Sequence, residues 1–254
     1  MNLNNFVIDR IVRAVGKNEA GQVLFAINQV TNASLNVTSE TAEAVDALGT
    51  PIAIFNRAKT AEFSAENALF DLSLMATQAG SDKIVASAEA TIVAPAFDMI
   101  EGGELKHEPI ADKSGFSVVK FYAMNKDGSL GNELGVDEDG KADGTITVEG
   151  KTVTGLPTDV QVMAVYEFNA ESAVAVINSA TEFPKACELV LEVLGCDVCN
   201  QEELIYAYVI FPNFKISPDF DWSIATDGSH PFSGRAMQDY CDTKKELYRL
   251  VIVE

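Results

Sequence analysis

The side chains able to carry chemistry are few and scattered along the chain. Its two histidines, His107 and His230, lie far apart, and neither has a Ser or Cys motif beside it that would pair a nucleophile with its base. Gly102-Gly103 and the stretch from Gly128 to Gly135 lack the lysine and the strand-to-helix setting that phosphate binding uses, so they read as turns. The acidic string Asp137-Glu138-Asp139-Gly140, with Asp143, offers hard oxygen ligands for calcium. It has neither the spacing of a helix-flanked calcium loop nor its closing Glu, and a solvated turn is the favoured reading. No enzyme and no cofactor are expected.

Four cysteines, Cys187, Cys196, Cys199 and Cys241, are the right number for a tetrahedral zinc site, and two of them form the CxxC Cys196-Asp197-Val198-Cys199. Only one such pair is present, and Cys187 falls on the apolar face of an expected strand, where cysteine behaves as a small hydrophobe. A thioredoxin-like reading fails as well. There the CxxC opens a helix, while here GCDVCNQEELIYAY leads into another strand. Reduced thiols rank first and a structural disulfide second, with zinc behind both.

The elements that must position these residues are mostly strands. From Leu204 onward the chain reads as three of them. Phe220, Trp222 and Ile224 alternate with Asp221, Ser223 and Ala225 as one half-buried strand, Asp227-Gly228-Ser229 is a turn, His230-Pro231 directs the chain away, and Leu247 to Val253 returns as a strand. Gln22 to Thr38 reads as two strand pieces, or one bulged strand, around a polar break at Thr31-Asn32. Ile52 to Phe63 follows the punctuation DALGTP. One helix is expected over about Ala65 to Gln78, with Ser64 as N-cap, Gly80 as its stop, and Glu66, Asn67, Asp71 and Gln78 on its polar face. Lys83 to Val93 suits either state and is read as a strand. Turn dipeptides at Asp127-Gly128, Asp139-Gly140 and Asp143-Gly144 separate short strands at Val118 to Met124, Thr145 to Val148, Lys151 to Thr154 and Val160 to Phe168, with a hairpin at Glu149-Gly150. Phe183 to Val193 then puts Cys187, Leu189, Leu191 and Val193 on one face and Glu188, Val190 and Glu192 on the other.

At 254 residues and 47% hydrophobic, the chain can bury one large core or two smaller ones. No window approaches the apolar length of a membrane span. The opening MNLNNFVIDRIVRAV carries Asp9 and Arg10 where a signal peptide needs its apolar centre, which leads us to expect a cytoplasmic protein. Eighteen basic residues against thirty-eight acidic give a net charge of −20, which argues against a protein that grips nucleic acid through its phosphates. Short strands, one helix and no repeated strand-helix alternation point to an all-β to α+β fold built on antiparallel sheets.

Three parts of the chain, taken together, resemble the major tail tube protein of tailed bacteriophages. They are the opening FVIDRIVRAVGKNEAGQVLFAINQVTNASLNVTSE with AVDALGTPIAIFNRAKTAEFSAENALFDLSLMATQAGS, the middle GTITVEGKTVTGLPTDVQVMAVYEF, and the closing FPNFKISPDFDWSIATDGSHPFSGRAMQDYC. The likeness is one of layout, covers most of the chain and rests on no catalytic-style motif. It implies an antiparallel β-sandwich or half-barrel with one flanking helix and an added β unit. Six copies would close into a ring whose inner wall is a continuous β-barrel, and rings would stack into a hollow tube through which DNA passes without specific binding. Residues 1–114 would then be the N-terminal part of the tube domain, with the helix and a candidate inter-ring loop. Residues 115–168 would be a β-rich unit, immunoglobulin-like or a sheet elaboration, and residues 169–254 the strands completing the tube domain.

The resemblance further implies a virion tail protein assembled in the host cytoplasm, with copies of itself as its main partner. Tail sheath, tail terminator and baseplate or tape measure proteins would be further partners, and no membrane is involved. Residues 38 to 52, with Ser39, Glu40, Glu43, Asp46 and Leu48, are the candidate inter-ring loop, an ordinary surface loop being the alternative. Glu188 and Glu192 share one strand face, as do Asp219 and Asp221, and these four acids are the candidates for the lumen wall, where carboxylates would repel DNA. The outside of the tube is the competing position for them. A capsid or virion-surface decoration protein, or an adhesive β-sandwich module, is the reading from another class.

Overall fold

The computed structural model describes residues 6–111, 118–135, 146–238 and 245–253. The acidic string with Asp143, its two Asp-Gly turns, and Cys241 lie outside the described residues. In chain order the elements are β1 (Phe6–Lys17), β2 (Val23–Ile27), β3 (Val30–Val45), β4 (Pro51–Asn67), α1 (Leu72–Ala79), β5 (Ile84–Val85), β6 (Ile92–Met99), β7 (Val119–Met124) and β8 (Leu130–Leu134). They continue with β9 (Thr147–Glu149), β10 (Thr152–Thr154), β11 (Val162–Ala170), β12 (Val174–Ala175), β13 (Ala186–Asp197), β14 (Asn200–Ile216), β15 (His230–Ala236) and β16 (Arg249–Val253). Among the described residues all strand pairings are antiparallel. One short helix among so many strands is the β-dominated fold with a flanking helix that the sequence pattern predicts.

The elements divide into two units, one made of Met1–Lys83 with Val176–Glu254 and the other of Ile84–Ala175. The segment 115–168 lies within the second. In the first unit, the strand order is β2-β1-β13-β14-β15-β4-β3, and β16 pairs with the middle of β14, Tyr206 to Ile210. Period-two patterning gives this sheet its core: Cys187, Leu189, Leu191 and Val193 of β13 are buried, and Glu188, Val190 and Glu192 between them are only partly covered. Ala14, Phe25, Ile27, Phe63, Ala65, Ala207, Phe214 and Phe232 join the same buried face. Its centre is aromatic. Phe63 lies 5.8 Å from both Phe211 and Phe232 and 6.4 Å from Phe214, in tilted or edge arrangements that suit ring quadrupoles. Phe211 and Phe214 are three apart and both fully buried, which regular alternation forbids. A bulge opposite Cys187 and Leu189 allows it by inserting an extra residue at Pro212-Asn213, where a proline costs the ladder nothing.

Several expectations are corrected here. The helix begins at Leu72, not Ala65: Asp71 is the N-cap, accepting at 2.7 Å from the Leu74 N–H, and Gly80 ends it in the left-handed region at φ 72°. Ser64 to Asn67 belong to β4, hydrogen-bonded to β15 on one side and β3 on the other. Two ladders outbid a helical start whose Phe63, Ala65 and Asn67 also alternate with period two. Asn67 and Gln78, assigned above to a polar helix face, are 2% and 1% exposed. The residues Phe220 to Ala225 form no strand, because their rings leave the sheet to stack on Phe70 and His230. The strand beside β14 and β4 is instead β15, which starts at the His230-Pro231 dipeptide expected to turn the chain away. The break between β2 and β3 falls at Asn28-Gln29, while Thr31-Asn32 is an irregularity inside β3. Of Lys83 to Val93, only Ile84–Val85 and the start of β6 are strand.

The second unit has a four-stranded sheet in the order β6-β11-β7-β8, a β9–β10 hairpin that turns at Gly150, and the short β5–β12 pair at the two points where the chain enters and leaves. Phe121, Ala164, Tyr166 and Val162 fill its core with Leu105, Ile146 and Val153. Asp98 is buried at 4% exposure and holds the following loop to the sheet. It accepts from the Tyr166 hydroxyl at 2.5 Å and the Lys106 N–H at 2.9 Å. Burial alone would raise its pKa, but these donors and the Lys106 ammonium at 3.5 Å outweigh it and hold the carboxyl below its ordinary value. Burial and the Asp98 carboxylate push Tyr166 up to about 12, so this pair ties down a loop and supplies no base.

Candidate functional site

The surfaces able to act are those of the large sheet in the first unit. On its solvent face Glu188 and Glu192 lie as their spacing predicts, on the side of β13 opposite the core. Spacing along one strand could not show what stands next to them. Antiparallel register puts Lys17 of β1 across from Glu188 and Arg13 across from Glu192, with N–O separations of 3.8 Å and 3.7 Å. Each acid is therefore answered by a base. The same face carries Arg235 of β15 beside Glu62 of β4, with Nε to Oε1 at 3.0 Å and a second, closer contact through Nη2. These exposed pairs contribute about 0–1 kcal/mol each, so their effect is on the charge of the face more than on stability. The signal that could have revealed the first two was present: Arg13 and Lys17 are four apart, as are Glu188 and Glu192 on their predicted strand, but the sequence reading placed no strand at the opening residues. Asp219 and Asp221 do not join them. They sit in the strand-free segment after β14, beside a cleft that Glu66, Ser229 and Phe232 also line.

Among the described residues several strand edges of the sheet are open, the outer sides of β2 and β16 included. Among the described residues, nothing pairs with the outer side of β3, which is sixteen residues long. β2 covers β1 only from Ala14 to Lys17, so the first half of β1 also presents unpaired backbone groups. Long open edges invite a further strand.

The candidate loop at 38 to 52 is the end of the β3–β4 hairpin. β15 pairs with β4 only from Ala61 to Asn67, so residues 38–60 form a two-stranded arm without further strand partners, turning at Asp46-Ala47-Leu48-Gly49. Asp46 stabilises the tip by accepting from the N–H groups of Leu48 (2.9 Å) and Thr50 (2.8 Å). Ser39, Glu40 and Glu43 lie along its β3 strand. Alongside exposed Glu40, Glu43, Arg57 and Lys59, the arm bares large apolar side chains: Leu48 is 91% exposed, Ile52 71%, Ile54 59% and Phe55 57%. An isolated two-stranded ribbon is marginal in water, and bare Ile and Phe on it mark an interaction surface. The sequence reading selected Leu48 and a span that ends at Ile52 but passed over Ile54 and Phe55, which look like ordinary strand residues until the sheet is seen to end before them.

The cysteines do not converge. Cys187 and Cys196 are nine residues apart on β13, about 30 Å at ~3.3 Å per residue, so the four-cysteine set is not a site. Cys187 is in the core, where burial pushes its thiol up to about 11. Cys196 ends β13 and Cys199 sits in the β13–β14 turn, its N–H donating to Asp197 Oδ1 at 2.9 Å; both are free thiols. Among the described residues no three His, Cys, Asp or Glu side chains converge as metal ligands, and no helix is long and apolar enough to cross a membrane.

An antiparallel sheet with one dry face, one wet charge-paired face, open edges and an apolar arm is the equipment of a protein that assembles. The sequence model of the YomU/Tube protein family matches residues 6–249, nearly the whole length. The chain belongs to the YomU/Tube family. Membership makes it a tube-type structural protein of the phage tail and so a virion tail component. The matched span holds the whole of the unit Ile84–Ala175 and most of the other, so the second unit is covered by the tube family as well. Among curated proteins, none matches the chain.

Proposed function

We propose that this tube-family protein is the ring-forming subunit of a phage tail tube. Six copies close side by side and rings stack into a hollow conduit for DNA. The observation that carries the reading is the large sheet with an unpaired edge at β3 and another along the first half of β1. Pairing of one copy's edge with its neighbour's continues the sheet and removes both edges, as closure of a barrel requires. The wet face becomes the wall. There Arg13, Lys17 and Arg235 are each neutralised by a carboxylate, so passing phosphates find no free run of these cations, and the chain's net charge of −20 repels them further. In this reading Glu188 and Glu192 face the lumen and act as counter-charges that keep Lys17 and Arg13 from holding DNA.

The arm at residues 38–60 reaches the next ring and buries Leu48, Ile52, Ile54 and Phe55 there. Tail sheath, terminator, and baseplate or tape measure proteins are the further partners that a tube of this kind implies, and assembly takes place in the host cytoplasm. Sedimentation of the purified chain at high concentration and moderate salt, with and without seeds of formed tubes, tests the proposal. Rapidly sedimenting assemblies are expected, and a species that stays monomeric even when seeded would overturn it.

A further inference from the structure

The segment 217–229 belongs to no strand; its ends are tied to the first unit by the Ser217 N–H donating to the Ser233 carbonyl at 2.8 Å and Ser229 Oγ donating to Glu66 at 3.0 Å, and between them a stack of rings fastens it. Trp222 lies on Phe70 with ring centroids 4.4 Å apart and 15° between planes, and Phe70 lies on His230 at 4.9 Å and 19°. Phe220 approaches the same imidazole at 6.2 Å. His230 is completely buried and uses both ring nitrogens: the Asp71 N–H donates to Nδ1 at 3.3 Å, and Nε2 lies 2.8 Å from Gln78 Oε1. Gln78 spends its own N–H group on the Pro231 carbonyl at 3.0 Å, which leaves Oε1 as an acceptor and makes His230 Nε2 the donor. The ring is therefore neutral, with its proton on Nε2. A second proton would have to sit on Nδ1, pointing at the Asp71 N–H.

We propose that residues 217–229 are a strap, latched through the Trp222–Phe70 stack onto neutral His230, and that protonation of His230 unlatches it. The groups facing His230 decide how readily this happens. From the start of α1 comes Asp71, whose carboxylate favours the imidazolium and opposes burial. α1 itself contributes the uncharged Gln78. β4 contributes Asn67 directly opposite and Glu66, whose carboxylate is held by Ser229 Oγ at 3.0 Å and Asn32 Nδ2 at 3.3 Å. The strap adds Asp219 and Asp221 on either side of Phe220.

Burial outweighs Asp71 and keeps His230 below its ordinary 6.5. The released form, whose imidazole is exposed, thus binds a proton first. The latch is fully effective above 6.5 and weakens as pH falls from there through the latched value.

Trp222 is the sole tryptophan of the chain, so its fluorescence reports the strap directly. Acrylamide quenching and the emission maximum of the full chain would be followed from about pH 8 to about pH 5, with far-ultraviolet circular dichroism as a check on the sheets. A several-fold rise in quenching and a red shift are expected below 6.5 with the sheet signal unchanged. Phe70→Leu should give the exposed signal at every pH, and His230→Gln should show no pH transition. If His230→Gln does not fold, proton NMR of the wild-type chain decides. It has two imidazole C2–H resonances, assigned through His107→Asn, and the His230 midpoint must coincide with the shift of the Trp222 indole N–H. Flat quenching down to about pH 5, a transition that survives in His230→Gln, or a His230 midpoint unconnected to Trp222 would each overturn the proposal.

Discussion

Replacing Ile52 and Ile54 by Thr should leave the folded subunit alone and cripple its assembly. The two side chains are two residues apart on β4, so they share one face of the hairpin arm, and they are 71% and 59% exposed. Thr keeps the β-branched shape and strand preference while replacing the γ1 methylene with a hydroxyl and removing the δ methyl. Fully burying an isoleucine is worth roughly 1.5–3 kcal/mol, and what remains exposed here amounts to about 1–2 kcal/mol for each residue if a neighbouring copy covers it. Allowing for partial cover, the pair contributes about 2–3 kcal/mol to each arm contact, which corresponds to roughly a 30- to 150-fold rise in the concentration needed for assembly. Light scattering against protein concentration gives that threshold, and a urea melt of the unassembled subunit gives the control. An unchanged threshold would refute the burial of this face in the assembly. A lowered melting midpoint equal to the assembly defect would refute the claim that the arm packs against nothing in its own subunit.

Other consequences follow from the same geometry. Glu188→Lys with Glu192→Lys leaves Lys17 and Arg13 unanswered and sets four cations on one stretch of the wet face; tubes should still form, since each lost pair costs at most about 1 kcal/mol, but DNA delivery by virions carrying them should fall. Normal infectivity with well-formed tubes would remove these acids from the lumen. Cys196→Ser with Cys199→Ser should change the urea midpoint by no more than about 0.5 kcal/mol, whereas Cys187→Ser buries an unsatisfied hydroxyl in the core and should cost about 1–3 kcal/mol. Zinc bound in stoichiometric amount and lost with the double substitution would contradict the first half. Gly80→Ala forces a side chain into the left-handed region and drives its Cβ into the Phe183 carbonyl group, so chemical denaturation should reveal a loss of about 1–3 kcal/mol; a neutral result would mean that the α1 C-cap is not held as described.

The parts of the fold legible in the sequence were those specified within one strand or one turn. The alternation of Cys187, Leu189, Leu191 and Val193 with Glu188 and Glu192 states which face is dry, and Asp46 to Thr50 and Gly80 state where chain direction changes. What escaped depends on partners distant in the chain. Ala65 to Asn67 suit a helix as well as a strand, and only the ladders from β3 and β15 decide between them. Phe220 and Trp222 alternate like strand residues, but the buried ring of His230 and the exposed ring of Phe70 offer them stacking that no local pattern encodes. The site divides in the same way. Glu188 and Glu192 were found from their spacing, while Arg13 and Lys17, which neutralise them, required the register of β1 on β13. Leu48 was selected because it sits in a turn, and Ile54 and Phe55 were missed because their exposure depends on where β15 stops.

Negative-stain microscopy of the purified full-length protein at high concentration tests the central claim most directly. The account predicts hollow tubes built of stacked rings, six subunits to a ring, with a stain-filled channel along the axis. A field of compact monomers or trimers, at concentrations where the unaltered arm and open sheet edges should drive association, would contradict it.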